Sequence, residues 1–189
     1  MKRAILIHRA DGDSTSDWIP WLGEELSKRG FEVISPDMPG FDSASVDEWV
    51  SIIYNLIGEP NMDTYIIGHG FGSLAALRYL STLKEGNRVG AVFMVAPWTE
   101  VKNGCIEKTV DLKGWLDDWV WWKRAKDHSR DFFVFYSDND KCVTEKDSLE
   151  FGRMIEAEMI LEKNRGHFTE YDDVTQLPML LEKIVKVSG

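Results

Sequence analysis

Six short apolar runs recur along this chain, and each is followed by a stretch with amphipathic helical spacing. The runs are Ala4–His8, Phe31–Ser35, Thr64–Ile67, Val89–Ala96, Phe132–Ser137 and Glu158–Glu162. The helical stretches are Trp18–Arg29, Val46–Ile57, Ser73–Leu83, Trp115–Lys126, Glu145–Ile155 and Val174–Val187. Strands that are apolar along most of their length must be covered on both faces, and strand–helix alternation covers them by parallel crossovers. The expectation is an α/β fold: a three-layer, doubly wound domain with a six-stranded, mostly parallel sheet in the order 2-1-3-4-5-6. With 189 residues and 43% apolar content, one domain spanning 1–189 can bury a sufficient core. One segment interrupts the alternation. Residues 98–130 hold Trp115, Trp119, Trp121 and Trp122, and read as a lid-like insertion or as a helix packed on the sheet.

Charge narrows the partners. The net charge of −10 leaves no basic face for phosphate, so neither nucleic acid nor an anionic membrane surface is expected. The longest apolar run, Ala91 to Pro97, is far short of the roughly 20 residues that span a bilayer. Cys105 and Cys142 read as two reduced thiols, and the N-terminus lacks a signal-peptide pattern, so a cytoplasmic location is expected.

In a doubly wound sheet, ligands bind beyond the carboxyl ends of the strands. The third run ends in Gly68-His69-Gly70-Phe71-Gly72-Ser73 and leads into an apolar helix. A dinucleotide fingerprint would follow the first strand and need an acid after the next one, and a phosphate loop would need Gly-Lys-Ser/Thr. Neither condition is met. The remaining layout is the nucleophile elbow G-x-S-x-G, whose small residues let strand and helix approach closely. Gly70 stands at the nucleophile position and carries no hydroxyl. The rest of a hydrolytic triad follows in the chain order of α/β-hydrolases, with an acid, Asp138 or Asp140, after the fifth strand and His167 after the sixth. His167 would act as general base, and the acid would hold its tautomer and stabilise the imidazolium. Backbone N–H groups of Ala10 and Phe71 would form the oxyanion hole. Arg9 and Trp98 lie at strand ends where they could contact substrate, while His8 and His69 read as structural ties between loops.

Over essentially its whole length the chain resembles the small single-domain serine hydrolases of the YdeN and retinoblastoma-binding-protein-9 type. The matching residues are Ile7-His8, Trp18-Ile19-Pro20-Trp21-Leu22, Ser35-Pro36-Asp37-Met38-Pro39, Gly68-His69-x-x-Gly72, Phe135 through Asp140, Gly166-His167-Phe168 and Val174-x-x-Leu177-Pro178. The resemblance implies a minimal α/β-hydrolase sheet, small carboxylester-type substrates, no cofactor, no metal, and a Ser-His-Asp triad in which Asp140 and His167 supply acid and base. Two residues depart from the family pattern: Gly70 replaces the serine, and Arg9 replaces a glycine. Gly70 leaves three readings open. The chain is a hydrolase whose serine has been replaced and whose activity is lost or impaired, a pseudo-hydrolase serving as a binding module, or a hydrolase in which His167 activates water directly.

Overall fold

The computed structural model describes residues 1–40, 45–100, 102, 105, 115–116 and 120–189. Its elements are β1 (Arg3–Ile7), α1 (Ile19–Ser27), β2 (Glu32–Ile34), α2 (Val46–Ile57), β3 (Thr64–His69), α3 (Phe71–Thr82), β4 (Val89–Val95), α4 (Val120–Lys126), β5 (Ser129–Tyr136), α5 (Glu145–Ile155), β6 (Glu158–Leu161) and α6 (Pro178–Ser188). The six strands form one sheet, ordered β2-β1-β3-β4-β5-β6, and every neighbouring pair is parallel. Both the strand order and the parallel sense agree with the sequence reading. Each strand sends alternate side chains to opposite faces, so the sheet needs two covers. Ile5, Ile7, Ile66, Val92 and Val134 pack under α2, α3, α4 and α5. Ala4, Leu6, Ile67, Phe93 and Phe135 pack under α1 and α6.

Local signals explain most element boundaries. Ser45 accepts the Glu48 N–H at 3.1 Å and starts α2, with Asp47 and Glu48 in the first turn favouring the positive end of the helix. Thr144 and Asp147 form a reciprocal capping box at α5. Most boundaries shift by one to a few residues, and two of the shifts have a clear backbone cause. The last helix begins at Pro178 rather than Val174, because a residue before proline is pushed out of helical conformation and Leu177 sits at ψ 77°. The third helix begins at Phe71, two residues earlier than expected, because it starts directly from the turn at Gly70.

The Trp-rich segment is only partly described: 101, 103–104, 106–114 and 117–119 lie outside the described residues, and with them Trp119 and most of the expected helix start. Trp115, Trp121 and Trp122 are buried in the core on the α3 side. Arg78 of α3 donates from Nε to the Trp115 carbonyl at 3.1 Å, and its guanidinium lies 4.2 Å from the Trp121 ring centroid.

The cysteines correct an expectation. Cys105 and Cys142 are joined in a disulfide, with Cα atoms 5.6 Å apart. The cause is tertiary: β4 and β5 are neighbours, so the loops that follow them leave the same sheet edge side by side. Lys102 N–H donates to the Cys142 carbonyl at 3.0 Å, and this contact brings the two loops together. The 37-residue sequence separation carries no trace of that proximity.

Candidate active site

The parallel sheet gathers the ends of β1, β3, β5 and β6 at one edge. At the end of β3 the chain turns sharply into α3. Gly70, at φ 49° and ψ −114°, is the pivot, a conformation that residues with a Cβ adopt only with strain. Its N–H donates to the Val95 carbonyl at 2.8 Å, and its carbonyl accepts the Ser73 N–H at 3.0 Å. The flanking glycines are there for space. A Cβ on Gly68 would lie 2.6 Å from the Gly72 carbonyl carbon, and one on Gly72 would lie 2.3 Å from the Ile7 carbonyl oxygen. Ser73 cannot substitute for the missing hydroxyl, since it is buried and its Oγ donates back to the Gly68 carbonyl at 3.0 Å. The turn has the strand–turn–helix geometry expected of a nucleophile elbow, with glycine at its apex.

The loop after β5 places the acid. Asp140 Oδ1 accepts the N–H groups of Cys142 at 2.7 Å and Val143 at 3.0 Å, which aims the second oxygen across the edge. His167 Nδ1 donates to that oxygen, Oδ2, at 2.8 Å. Asp138 plays a different part, accepting the Asn164 N–H at 2.8 Å and so tying the β5 loop to the β6 loop. The carboxylate in contact with His167 is thus that of Asp140, not Asp138. The His167 loop is held from below by Asp172, whose Oδ2 accepts the His167 N–H at 2.9 Å and the Thr169 hydroxyl at 2.7 Å. Gly166 sits at φ +54°, and a Cβ there would lie 2.2 Å from the Asp172 carboxylate.

Behind this couple lies a second acid–histidine arrangement that sequence reasoning missed. Asp17 is fully buried; its Oδ2 accepts from Arg9 Nε at 2.9 Å and lies 3.3 Å from His69 Nδ1. Its other oxygen accepts the Glu170 N–H at 2.9 Å. His69 in turn donates from Nε2 to the carbonyl of His167 at 2.9 Å. Asp17 therefore ties the loop after β1, the end of β3 and the His167 loop into one unit. Burial alone would raise the Asp17 carboxyl, but contacts with His69 and Arg9 outweigh it and hold the group well below the usual carboxylate range. The only sequence signal was an acid one residue before Trp18, in a loop rich in acids.

His8 also ties loops. Its Nδ1 donates to the Arg9 carbonyl at 2.6 Å while Nε2 accepts the Met38 N–H at 2.9 Å, which sets the tautomer. Burial lowers its pKa, against a smaller opposing effect of the Arg9 hydrogen bond. Arg9 is held between Asp11 and Asp17 and stacks 5.7 Å from the Tyr171 ring centroid. Burial would lower the Arg9 pKa, but its two carboxylate partners more than offset this and raise it. Arg9, Cys142, His167 and Tyr171 line one cavity of about 180 Å³. Ala10 is buried beside Arg9 at the β1 loop, and Phe71 opens α3 immediately after Gly70. Trp98 is fully buried, 6.1 Å from Phe71 between ring centroids, while Trp115 lies 4.3 Å from Phe71 on another side.

A minimal doubly wound parallel sheet in this strand order is the α/β-hydrolase fold. More narrowly, the chain belongs to the serine hydrolase family whose model matches residues 4–185. It is 24% identical to YdeN of Bacillus subtilis over 187 residues, covering 96% of this chain and 93% of that one. Against the serine hydrolase RBBP9 of Rattus norvegicus it is 25% identical over 180 residues, covering 93% and 92%. The crystal structure of the ydeN gene product superimposes with a TM-score of 0.89 at 21% identity, over 99% of this chain and 98% of that one. Est1E of Butyrivibrio proteoclasticus, solved with ferulic acid bound, shares the fold at a TM-score of 0.69 and 14% identity, with 98% and 90% covered.

Proposed function

We propose that this site is built to hydrolyse carboxylesters of small molecules, and that Gly70 removes its covalent step. The observation that carries the reading is the 2.8 Å bond from His167 Nδ1 to Asp140 Oδ2, set at the edge where the Gly70 elbow turns. That bond fixes the tautomer with the lone pair on Nε2, the form a general base needs. The donors proposed for the developing oxyanion are the N–H groups of Ala10 and Phe71, one on the β1 loop and one at the start of α3. Trp98 and Trp115 are fully buried against Phe71 and back the start of α3 from inside the core. The serine hydrolase relatives, and a fold neighbour with an aromatic acid bound, support this substrate class. Without a hydroxyl, any turnover must come from water activated by His167, at the residual level that binding and an oxyanion hole give alone.

A second reading has its own observation. Arg9 is locked between Asp11 and Asp17 beside the oxyanion loop and faces the same cavity as His167. A cation fixed at that place suits a binding module that holds a small molecule without turning it over. The expected cytoplasmic location rested partly on reduced thiols; the redox state of Cys105 and Cys142 in cells tests it.

Gly70→Ser decides between the two. Triad members act as a unit, so supplying the missing one should recover most of the lost rate, several powers of ten on p-nitrophenyl acetate with an acyl-enzyme burst. The gain should disappear in the Gly70→Ser, His167→Ala double variant. Serine at this φ costs on the order of 1–3 kcal/mol, so a thermal melt accompanies the assay. A folded Gly70→Ser protein with no burst and no fluorophosphonate labelling would give the binding-module reading the lead.

A further inference from the structure

The disulfide lies beside the Asp140–His167 couple. One ligand atom each from Asp140, Cys142 and His167 lie within 4.8 Å of one another, a grouping found once among the described residues. Carboxylate, thiolate and imidazole are all zinc ligands, and three protein ligands plus an open position make a common zinc arrangement. While Cys142 is bonded to Cys105 its sulfur carries no charge and is a poor ligand, so the set is closed. Reduction opens it.

Cys142 does not depend on the S–S bond for its position. Its N–H donates to Asp140 Oδ1 at 2.7 Å and its carbonyl accepts the Lys102 N–H at 3.0 Å, so its backbone stays beside the couple when the bond is cut. Tetrahedral zinc needs ligand atoms about 3.3–3.8 Å apart. Zinc entry therefore parts the 2.8 Å His167–Asp140 contact slightly, while rotation about the Cys142 side chain, which reduction frees, brings its sulfur closer. Cys142 and His167 both line the 180 Å³ cavity, which provides an entry path. The Asp140 carboxylate and the Cys142 thiolate together balance the two charges of the ion.

We infer that Asp140, Cys142 and His167 form a redox-gated zinc site, closed in the disulfide form and open after reduction by a dithiol. The dithiol delivers two electrons and two protons to the S–S bond, leaves Cys105 and Cys142 as thiols, and itself becomes a disulfide. Zinc then binds one ring nitrogen of His167, with the ring's single proton on the other, and an oxygen of Asp140, and displaces the Cys142 thiol proton to solvent. The metal-loaded state holds the groups that base catalysis would use, so metal binding and hydrolysis exclude each other. The inference stands apart from the ester reading, because it is read from metal binding in the absence of substrate.

The test uses the full chain, oxidised or reduced with dithiothreitol and desalted without oxygen. Bound zinc is measured by equilibrium dialysis, and cobalt substitution reports the thiolate through its charge-transfer band. The reduced protein should bind one zinc per chain at least about 100-fold more tightly than the oxidised protein. Cys105→Ser should bind without reductant, whereas Cys142→Ser and His167→Ala should each lose about 100-fold after reduction. Equal binding by oxidised and reduced protein would overturn the inference. So would unimpaired binding by reduced His167→Ala, or loss of binding in reduced Cys105→Ser that keeps its native circular dichroism; either result would assign the metal to the cysteine pair. If Cys105→Ser fails to fold, reduced wild type against reduced His167→Ala still decides the question. Hydrolysis by oxidised, zinc-free Gly70→Ser is a separate measurement, so failure of one idea leaves the other standing.

Discussion

At residue scale, the site contains two acid–histidine pairs with different work. Asp140 orients His167 through its ring, whereas Asp17 acts through His69 on the His167 backbone. Asp17 is a positioning residue, and its charge is matched inside the protein by Arg9. Asp17→Asn would leave that arginine with Asp11 alone and should cost about 3 kcal/mol of stability at neutral pH. The pH dependence carries the sign. The native fold depresses the Asp17 pKa, so its contribution is fully present above the unfolded value near 4 and fades as pH falls through the lower folded value. Urea unfolding of wild type and Asp17→Asn should therefore show a constant gap down to about pH 4 that closes below it. A gap unchanged at more acidic pH would show that the carboxylate's charge is not what stabilises this corner.

At the scale of elements, α3 decides whether the site exists. It packs against β1 so closely that the Gly72 Cα faces the carbonyls of Ile7 and His8, and a Cβ would meet them at 2.3 and 2.6 Å. These are backbone atoms in a parallel ladder, which cannot swing aside as a side chain can. Gly72→Ala should move the start of α3 away from the sheet and destabilise the protein by about 3 kcal/mol or more, measured by thermal unfolding. The tight turn between β3 and α3 was legible in the sequence, from the Gly68-x-Gly70-x-Gly72 spacing followed by apolar residues. The boundaries were less legible. Pro178 moved the start of α6 and Gly70 brought the start of α3 forward, each through a backbone constraint that hydrophobic periodicity does not register.

On the scale of the whole molecule, the disulfide links the segment after β4 to the loop that carries Asp140. Closing a loop of 37 residues in the unfolded chain stabilises the fold by about 4 kcal/mol in the chain-entropy model. Guanidinium unfolding with and without dithiothreitol should show a difference approaching that figure. A difference near zero would mean that the two loops are already held together by contacts such as Lys102 to Cys142. The same comparison by proteolysis should show cleavage rising after reduction in the chain between Trp98 and Val120 rather than elsewhere.

Sequence alone determined the α/β class and the strand order, and pointed to the glycine turn and to the edge where Asp140 and His167 meet. These follow from period, from glycine spacing and from the rule that parallel sheets place function at strand ends. What only the tertiary structure decided is which distant residues meet. Asp17 with His69 and Arg9, Asp172 under His167, and Cys105 with Cys142 are contacts between loops far apart in the chain. No local periodicity encodes such meetings; they arise because a parallel sheet brings the ends of its strands to one edge, and the loops leaving that edge must satisfy one another's charges and hydrogen bonds.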